Sequence, residues 1–433
     1  MEASRNDETR KFIYISLLKL GVFMNVSKIL ISFLFSLTAF SAVWHADNSW
    51  TPQYESEYSK WMTSQAVHAR IFVDKNSKYY GLRADCADAA YAMRAIFSFE
   101  NSLPFAISNP SGGRASQTLS NTTNAFDKYR DSHKRVVAFL NYLGESVGTE
   151  NLSRLDTYPV VLKSIRPATL YTYKIKGRFG KVIRHAYTIK DIQSTGSFDL
   201  IYSTQAIKKE NLPMNYRKGK ELVNLPQTVW GFRRFKWPST LANSNTTLAS
   251  HFSYSEEQYS LARELGSNEF FSYVKDLLKT ENETPNSIIK RVLDNACAEA
   301  VARIDYVNQG VAYNLSRNGK CMNYTDYDIY STPARDKALK ASFEALVYNW
   351  KKVGSKVSDN HLAMLVESIV NPTYVDRDLV TEYCPIKVEG LKTYNLAEIW
   401  ERVQSGALSS HPNDSLAARW GVPGVRTSCK VWY

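Results

Sequence analysis

The sequence predicts an α+β protein: an N-terminal unit with a cysteine-bearing helix and a histidine-bearing antiparallel sheet, then an all-α C-terminal unit. Three observations predict it. The stretch Tyr79 to Phe105 holds a capped, Ala-rich helical run that begins at Cys86. Residues 169–204 turn to period-two patterning broken by short turns. From His251 onward the apolar spacing is helical.

At the N-terminus, Lys28 precedes a mainly apolar run from Ile29 to Leu37, and Ala39, Ser41 and Ala42 supply small residues for cleavage. Residues 1–42 therefore read as an export signal with Met24 as its natural start, and residues 1–23 as an upstream mis-start or an extended leader. An uncleaved anchor is the alternative, but the run is short for a span, and Lys19 and Lys28 interrupt the longer one. No later segment is long enough to cross a bilayer. A periplasmic or secreted protein is expected.

Residues 43–238 form the expected first domain. Glu57 to Arg70 reads as a helix with Ser56 as its cap, and Ile71 to Val73 as a short strand. In the Cys86 helix, Asp85 is the N-cap and Asp88 completes a capping box. Ala89, Ala92, Met93, Ile96 and Phe97 form one apolar face, and Leu103-Pro104 ends the run. Residues 107–124 read as a loop, and Ala125 to Leu143 as a helix capped by Asn124. Three strands follow, Thr169–Ile175, Val182–Ile192 and Phe198–Thr204, joined by KGRFGK and STGS as an antiparallel meander. His185 lies in the middle strand. Thr228–Pro238 is basic and aromatic: either a closing edge strand with Arg and Lys outward, or a surface that stacks on sugars and pairs with acids. Residues 239–250 are Ser/Asn/Thr-rich and read as a linker. In 251–433, Ser255, Thr284-Pro285 and Thr332-Pro333 start helices, and shorter ones are expected near 360–370 and 394–405.

The chain carries a formal charge of +12 and 13% aromatic residues. That suits an acidic partner: nucleic acid, anionic lipid or an acidic cell-wall polymer. Zinc-finger spacing, a P-loop and a compact basic helix are all missing, which makes nucleic acid the weakest of the three. Export changes the meaning of the five cysteines. Cys297, Cys321, Cys384 and Cys429 can form two disulfides with three connectivities, which leaves Cys86 over. None makes a CxxC or Cys-His cluster, so no metal is expected.

A thiol at a helix N-terminus feels unpaired N–H groups and the positive end of the macrodipole, while Asp85 and Asp88 oppose ionisation. The bland alternative is a small buried Cys in an Ala-rich helix. A thiol nucleophile needs a base within hydrogen-bond reach and a third group to hold that base. Cys86 followed later by His185 on a sheet is the layout of papain-like thiol hydrolases. ADCADAAYAMR with SLP resembles the NlpC-type cell-wall cysteine hydrolases through Tyr80, Gly81, Asp85, Cys86, Leu103 and Pro104. It also resembles transglutaminase-like cysteine proteases through Cys86, Asp88 and Ala90. His185-Ala186-Tyr187 fits the base in both. The third member falls at Tyr202 in the first alignment and near Asp199 in the second. The Gly that follows the Asp-Cys-Ser of the NlpC type is replaced here by Ala87-Asp88, and residues 106–160 would be an insertion.

The resemblance implies an exported cysteine peptidase or amidase, without cofactor, that cleaves peptidoglycan stem peptides. Cys86 would attack, His185 would shuttle the proton and Tyr202 would orient His185. A transglutaminase-like protease or cross-linking enzyme, and a non-catalytic module that binds the wall, stand as alternatives.

Overall fold

The computed structural model describes residues 42–108, 118–176, 182–204, 213–243, 247–248, 252–371, 373–374 and 376–432. All of the expected export signal except Ala42 lies outside these residues, as does the 177–181 part of the expected basic turn. Among the described residues no helix is long and apolar enough to cross a membrane.

The fold is mixed. Helix α1 (Pro52–Thr63) starts at Thr51-Pro52, a cap and N1 proline earlier than the expected Ser56, and Ile71 to Val73 form turns rather than a strand. Helix α2 (Cys86–Glu100) forms as its caps dictate. Asp85 Oδ1 accepts from the Ala87 and Asp88 amides, and Asp88 Oδ2 accepts from the Asp85 amide. Cys86 to Ser98 is buried on every side, which makes α2 the central helix of its unit. Ile96, Phe97 and Leu103 are almost wholly buried, contributing about 1.5–3 kcal/mol each. The expected 107–124 loop contains a small hairpin, β1 (Ala106–Ser108) against β2 (Thr118–Ser120). Helix α3 (Ser132–Ser146) begins seven residues later than Ala125 because Asp131, not Asn124, caps it. Gly144 lets α3 lie close over α2: a Cβ there would sit 3.0 Å from Asp88 Cγ.

The meander is present as β4 (Leu170–Lys176), β5 (Val182–Ile192) and β6 (Phe198–Tyr202) within a six-stranded sheet. β3 (Thr157–Pro159), β7 (Asn215–Arg217) and β8 (Gly231–Phe235) complete it in the order β3-β8-β4-β5-β6-β7, antiparallel throughout. β8 is thus interior, and both expectations for its Arg residues fail. Arg233 and Arg234 are 3% and 4% exposed. Arg234 pairs with Glu55, and Arg233 donates to Thr157 and Tyr259.

The two sheet faces bury different cores. Ala168, Leu170, Ala186, Ile201 and Phe235 pack with α2 and α3. Tyr171, Tyr187, Ile189, Tyr202 and Phe232 pack with α4 (Glu257–Leu265) and α5 (Ser267–Leu278). The second core therefore runs across the expected 239–250 boundary. A third core begins at Ile289 and gathers α6 (Pro285–Ser316), α8 (Pro333–Val353), α9 (Asn360–Val370), α10 (Arg377–Tyr383), α11 (Leu396–Gln404) and α12 (Leu416–Arg419) around residues such as Phe343 and Trp420, while α7 (Tyr324–Tyr330) packs through Tyr330 on Met322 and Tyr313 in a small cluster of its own. Pro285 and Pro333 open their helices as expected. The disulfides are Cys297–Cys384 and Cys321–Cys429, and Cys86 is the free, buried cysteine.

Candidate functional site

Cys86 opens α2 against the middle of the sheet. It is 8% exposed, its Sγ lies 3.6 Å from Thr149 Oγ1, and the Ala186 backbone N–H lies alongside the sulfur. Burial pushes the thiol well above its ordinary pKa and the Asp85 carboxylate adds to that, outweighing the Thr149 and Ala186 donors. The thiol is protonated at neutral pH.

Successive strand residues face opposite sides. Ala186 belongs to the core that holds Cys86. His185 belongs to the other face, where its ring centroid lies 5.6 Å from Tyr173, 4.6 Å from Tyr187 and 5.5 Å from Tyr202. The expected Cys86–His185 pair is therefore not assembled: β5 runs between the two side chains, and no hydrogen bond joins them among the described residues. Burial and the nearby Lys220 and Arg335 charges push His185 down to about 3, so its imidazole is neutral. Tyr202 does sit beside His185, as a ring contact. Asp199, the other expected orienting group, instead accepts from Gln193 Nε2, Tyr216 Oη and the Gly219 amide.

His185 and its tyrosines face α6 and α8. Glu299 of α6 pairs with Lys220 and lies 3.8 Å from Arg217, while Tyr306 Oη donates to Asn215 Oδ1 at 2.8 Å. Burial would raise Glu299, but Lys220 and Arg217 hold it below its ordinary value. These contacts tie the sheet to the helical unit. Beside them opens a small chamber of about 50 Å³, lined by Tyr171, Tyr173, Tyr187, Lys220, Asn295 and Ala341 among others. It continues into a cleft of about 860 Å³ between α5, α6 and α8, the two sharing Leu222, Asn224, Lys337 and Ala341.

Along α8 the cleft wall carries Lys337, Ala341, Tyr348 and Lys352, residues that share one helical face. Tyr348 is 43% exposed. Lys337 and Lys352 form no ion pair among the described residues, whereas Lys340 pairs with Glu344, and Lys275 on α5 with Glu283. Sequence reasoning missed Lys220, Asn295, Glu299 and the α8 face. The repeated Tyr171, Tyr173, Tyr187 and Tyr202 at strand spacing was the signal that the His185 face is aromatic. Among the described residues no group of three or more His, Cys, Asp or Glu could hold a metal ion.

Comparison with known protein families, with curated proteins and with solved structures finds no match to this chain.

Proposed function

We propose that this is an exported protein that binds an acidic cell-wall polymer in the cleft between α5 and α8, rather than one that cleaves such a polymer at Cys86. One observation carries the reading: the 860 Å³ cleft is flanked on α8 by Lys337 and Lys352, unpaired among the described residues, around the exposed Tyr348 ring, with Lys340 paired to Glu344 between them. Lysines attract carboxylates or phosphates, and an exposed tyrosine is a flat apolar surface for a sugar or peptide. The charge bias agrees. The whole chain has 54 Lys and Arg against 42 Asp and Glu. The two disulfides fit an exported protein.

The test is co-sedimentation of the protein with purified peptidoglycan at low salt and at about 0.5 M salt, where charge attraction is screened. Binding is expected at low salt and should fall with salt. The triple change Lys337→Glu, Lys340→Glu, Lys352→Glu should abolish it, and Tyr348→Ala should weaken it severalfold. Binding that ignores both salt and the triple change would overturn the reading.

A second reading, thiol hydrolysis, is favoured by one contact: Cys86 touches Ala186, the immediate neighbour of His185, at a capped helix N-terminus. Iodoacetamide labelling across pH separates the two. Binding without catalysis predicts slow labelling of Cys86, equal in the His185→Ala variant. Fast labelling below about pH 8 that His185→Ala removes would restore the catalytic pair.

A further inference from the structure

The chamber at the inner end of the cleft differs from the cleft in its chemistry. Its walls carry the rings of Tyr171, Tyr173 and Tyr187 with Ile175, Ile183 and Leu222, and Ala338 of α8 keeps the space open. Several polar groups on these walls are already spent within the protein. The Tyr171 hydroxyl donates to the Asn224 carbonyl, and the Ser342 hydroxyl to the Leu339 carbonyl. Lys220 is paired with Glu299, and Glu221 with Arg291. Lys337 lines both the chamber and the cleft, which puts it at the mouth, and it forms no ion pair among the described residues. A mainly apolar recess with one uncompensated cation at its mouth complements an alkyl group that carries a carboxylate. At about 50 Å³ the recess holds a few heavy atoms, not a sugar ring. A phosphate would find one free cation where it is best met by several donors, and an amine would meet Lys337 as a like charge.

We propose that this chamber binds a short aliphatic carboxylate, its alkyl group among the tyrosine rings and its carboxylate on Lys337. A peptide that ends in a small aliphatic residue and a free short-chain carboxylic acid share that chemistry. That the group is a peptide end belonging to the polymer in the outer cleft rests on the function proposed above; the chamber's own selectivity does not.

Ligand-observed NMR and calorimetry with the whole protein test it, using acetyl-alanyl-alanine and acetyl-alanyl-valine as peptide ends and isobutyrate as the free acid. Three controls each change one feature. Acetyl-alanyl-glycine lacks the alkyl group, acetyl-alanyl-tryptophan is too large for the chamber, and the C-terminal amide of acetyl-alanyl-valine lacks the carboxylate. Affinity should rise by about fourfold for the first carbon added to the glycine end and again toward valine. It should be lost for the tryptophan end and fall at least about threefold in the amide. Binding of the peptide ends alone, or of isobutyrate alone, supports the proposal and identifies the source. Ala338→Leu should fill the chamber and remove the gain from the alkyl group. Lys337→Gln should instead remove the difference between acid and amide, and its salt dependence, while the preference for alkyl size remains. Equal affinity for the glycine, alanine and valine ends, full binding of the tryptophan end, an alkyl preference untouched by Ala338→Leu, or no binding of any probe by the folded protein would overturn the proposal. Selective probe binding by a protein whose sedimentation with peptidoglycan ignores salt would keep the chamber and remove the outer cleft. Salt-sensitive sedimentation without selective probe binding would sink the chamber and leave the cleft standing.

Discussion

Asp88 caps α2 with one oxygen while its other, Oδ1, is buried without a partner under Gly144. Burial first, and the neighbouring Asp85 carboxylate second, push Asp88 up to about 8. A carboxylic acid whose folded pKa is raised favours the folded state below its ordinary pKa and loses that contribution as pH rises toward the folded value. Stability should therefore fall between about pH 4 and pH 8 on account of this group. Asp88→Asn keeps an acceptor for the Asp85 amide and removes the charge. It should stabilise the protein, and raise its melting temperature, more at pH 8 than at pH 5, the gain growing by up to about 1.4 kcal/mol per pH unit across that window. Equal melting shifts at both pH values would contradict the assignment. The same surroundings explain Cys86. Its position at a helix start was legible from the sequence, but its ionisation was not, because burial and Asp85 outweigh the helix terminus.

The elements were legible where a local rule decides them. Asp85 and Asp88 fix the start of α2, and Pro285 and Pro333 fix two helices. Alternation along 169–204 fixes the meander. The face each strand turns inward is a tertiary matter. In β5 the odd set Ile183, His185, Tyr187, Ile189 is the apolar one, while the even set Arg184, Ala186, Thr188, Lys190 carries two cations, yet Ala186, Thr188 and Lys190 of the even set are buried as well. Helix α2 selects the even set, since its Ala87, Ala89 and Ala90 surface packs closely against a small residue such as Ala186. That choice separates His185 from Cys86. β8 misled for a related reason: a Phe-Arg-Arg-Phe-Lys run reads as a surface, yet Glu55 on α1 buries the second arginine. Glu55 also receives Arg94 at 2.5 Å and Trp237 Nε1 at 2.9 Å, and Arg94 lies 3.3 Å over the Trp50 ring. Burial alone would raise Glu55, but Arg94 and Arg234 bring it down to about 2. A carboxylate lowered in this way stabilises above its ordinary pKa and loses the contribution as pH falls through the folded value. Glu55→Gln leaves two buried guanidinium groups without a counter-charge and should cost about 3–5 kcal/mol at pH 7. The urea midpoint should drop accordingly. The loss should shrink as the wild-type protein is taken from pH 4.5 toward 2, and a loss independent of pH would argue against the ion pairs as its origin.

At the scale of the whole molecule, the cores and the disulfides divide the chain unequally. Cys297–Cys384 and Cys321–Cys429 close separations of 87 and 108 residues, and all four cysteines lie beyond Ile289, in the helical unit. Neither bond touches the two cores on the sheet faces. In the chain-entropy account each loop of this length stabilises by about 4–5 kcal/mol, all of it exerted on the helical unit, where only Cys297–Cys384 lies in the third core. The sheet unit has instead its ion-pair network and the aromatic packing around α2. Between the units run polar contacts, Lys220 and Arg217 to Glu299 and Tyr306 to Asn215, which couple less strongly than a shared apolar core would. Reduction should therefore act on one part of the molecule. Calorimetry of the reduced protein, or of Cys297→Ser, Cys384→Ser, should show the helical unit melting at least about 10 °C lower while the sheet unit keeps its transition. Tyrosine and tryptophan signals from the two units allow the transitions to be assigned. A single transition that moves as a whole would mean that the Glu299 contacts bind the units into one cooperative body. The cleft between α5 and α8 would then be a fixed groove, since α5 belongs to the core on the sheet and α8 to the core held by the disulfides. If the transitions separate, the cleft lies between two parts that melt independently, and a ligand spanning Lys275 and Lys352 should bring them back together.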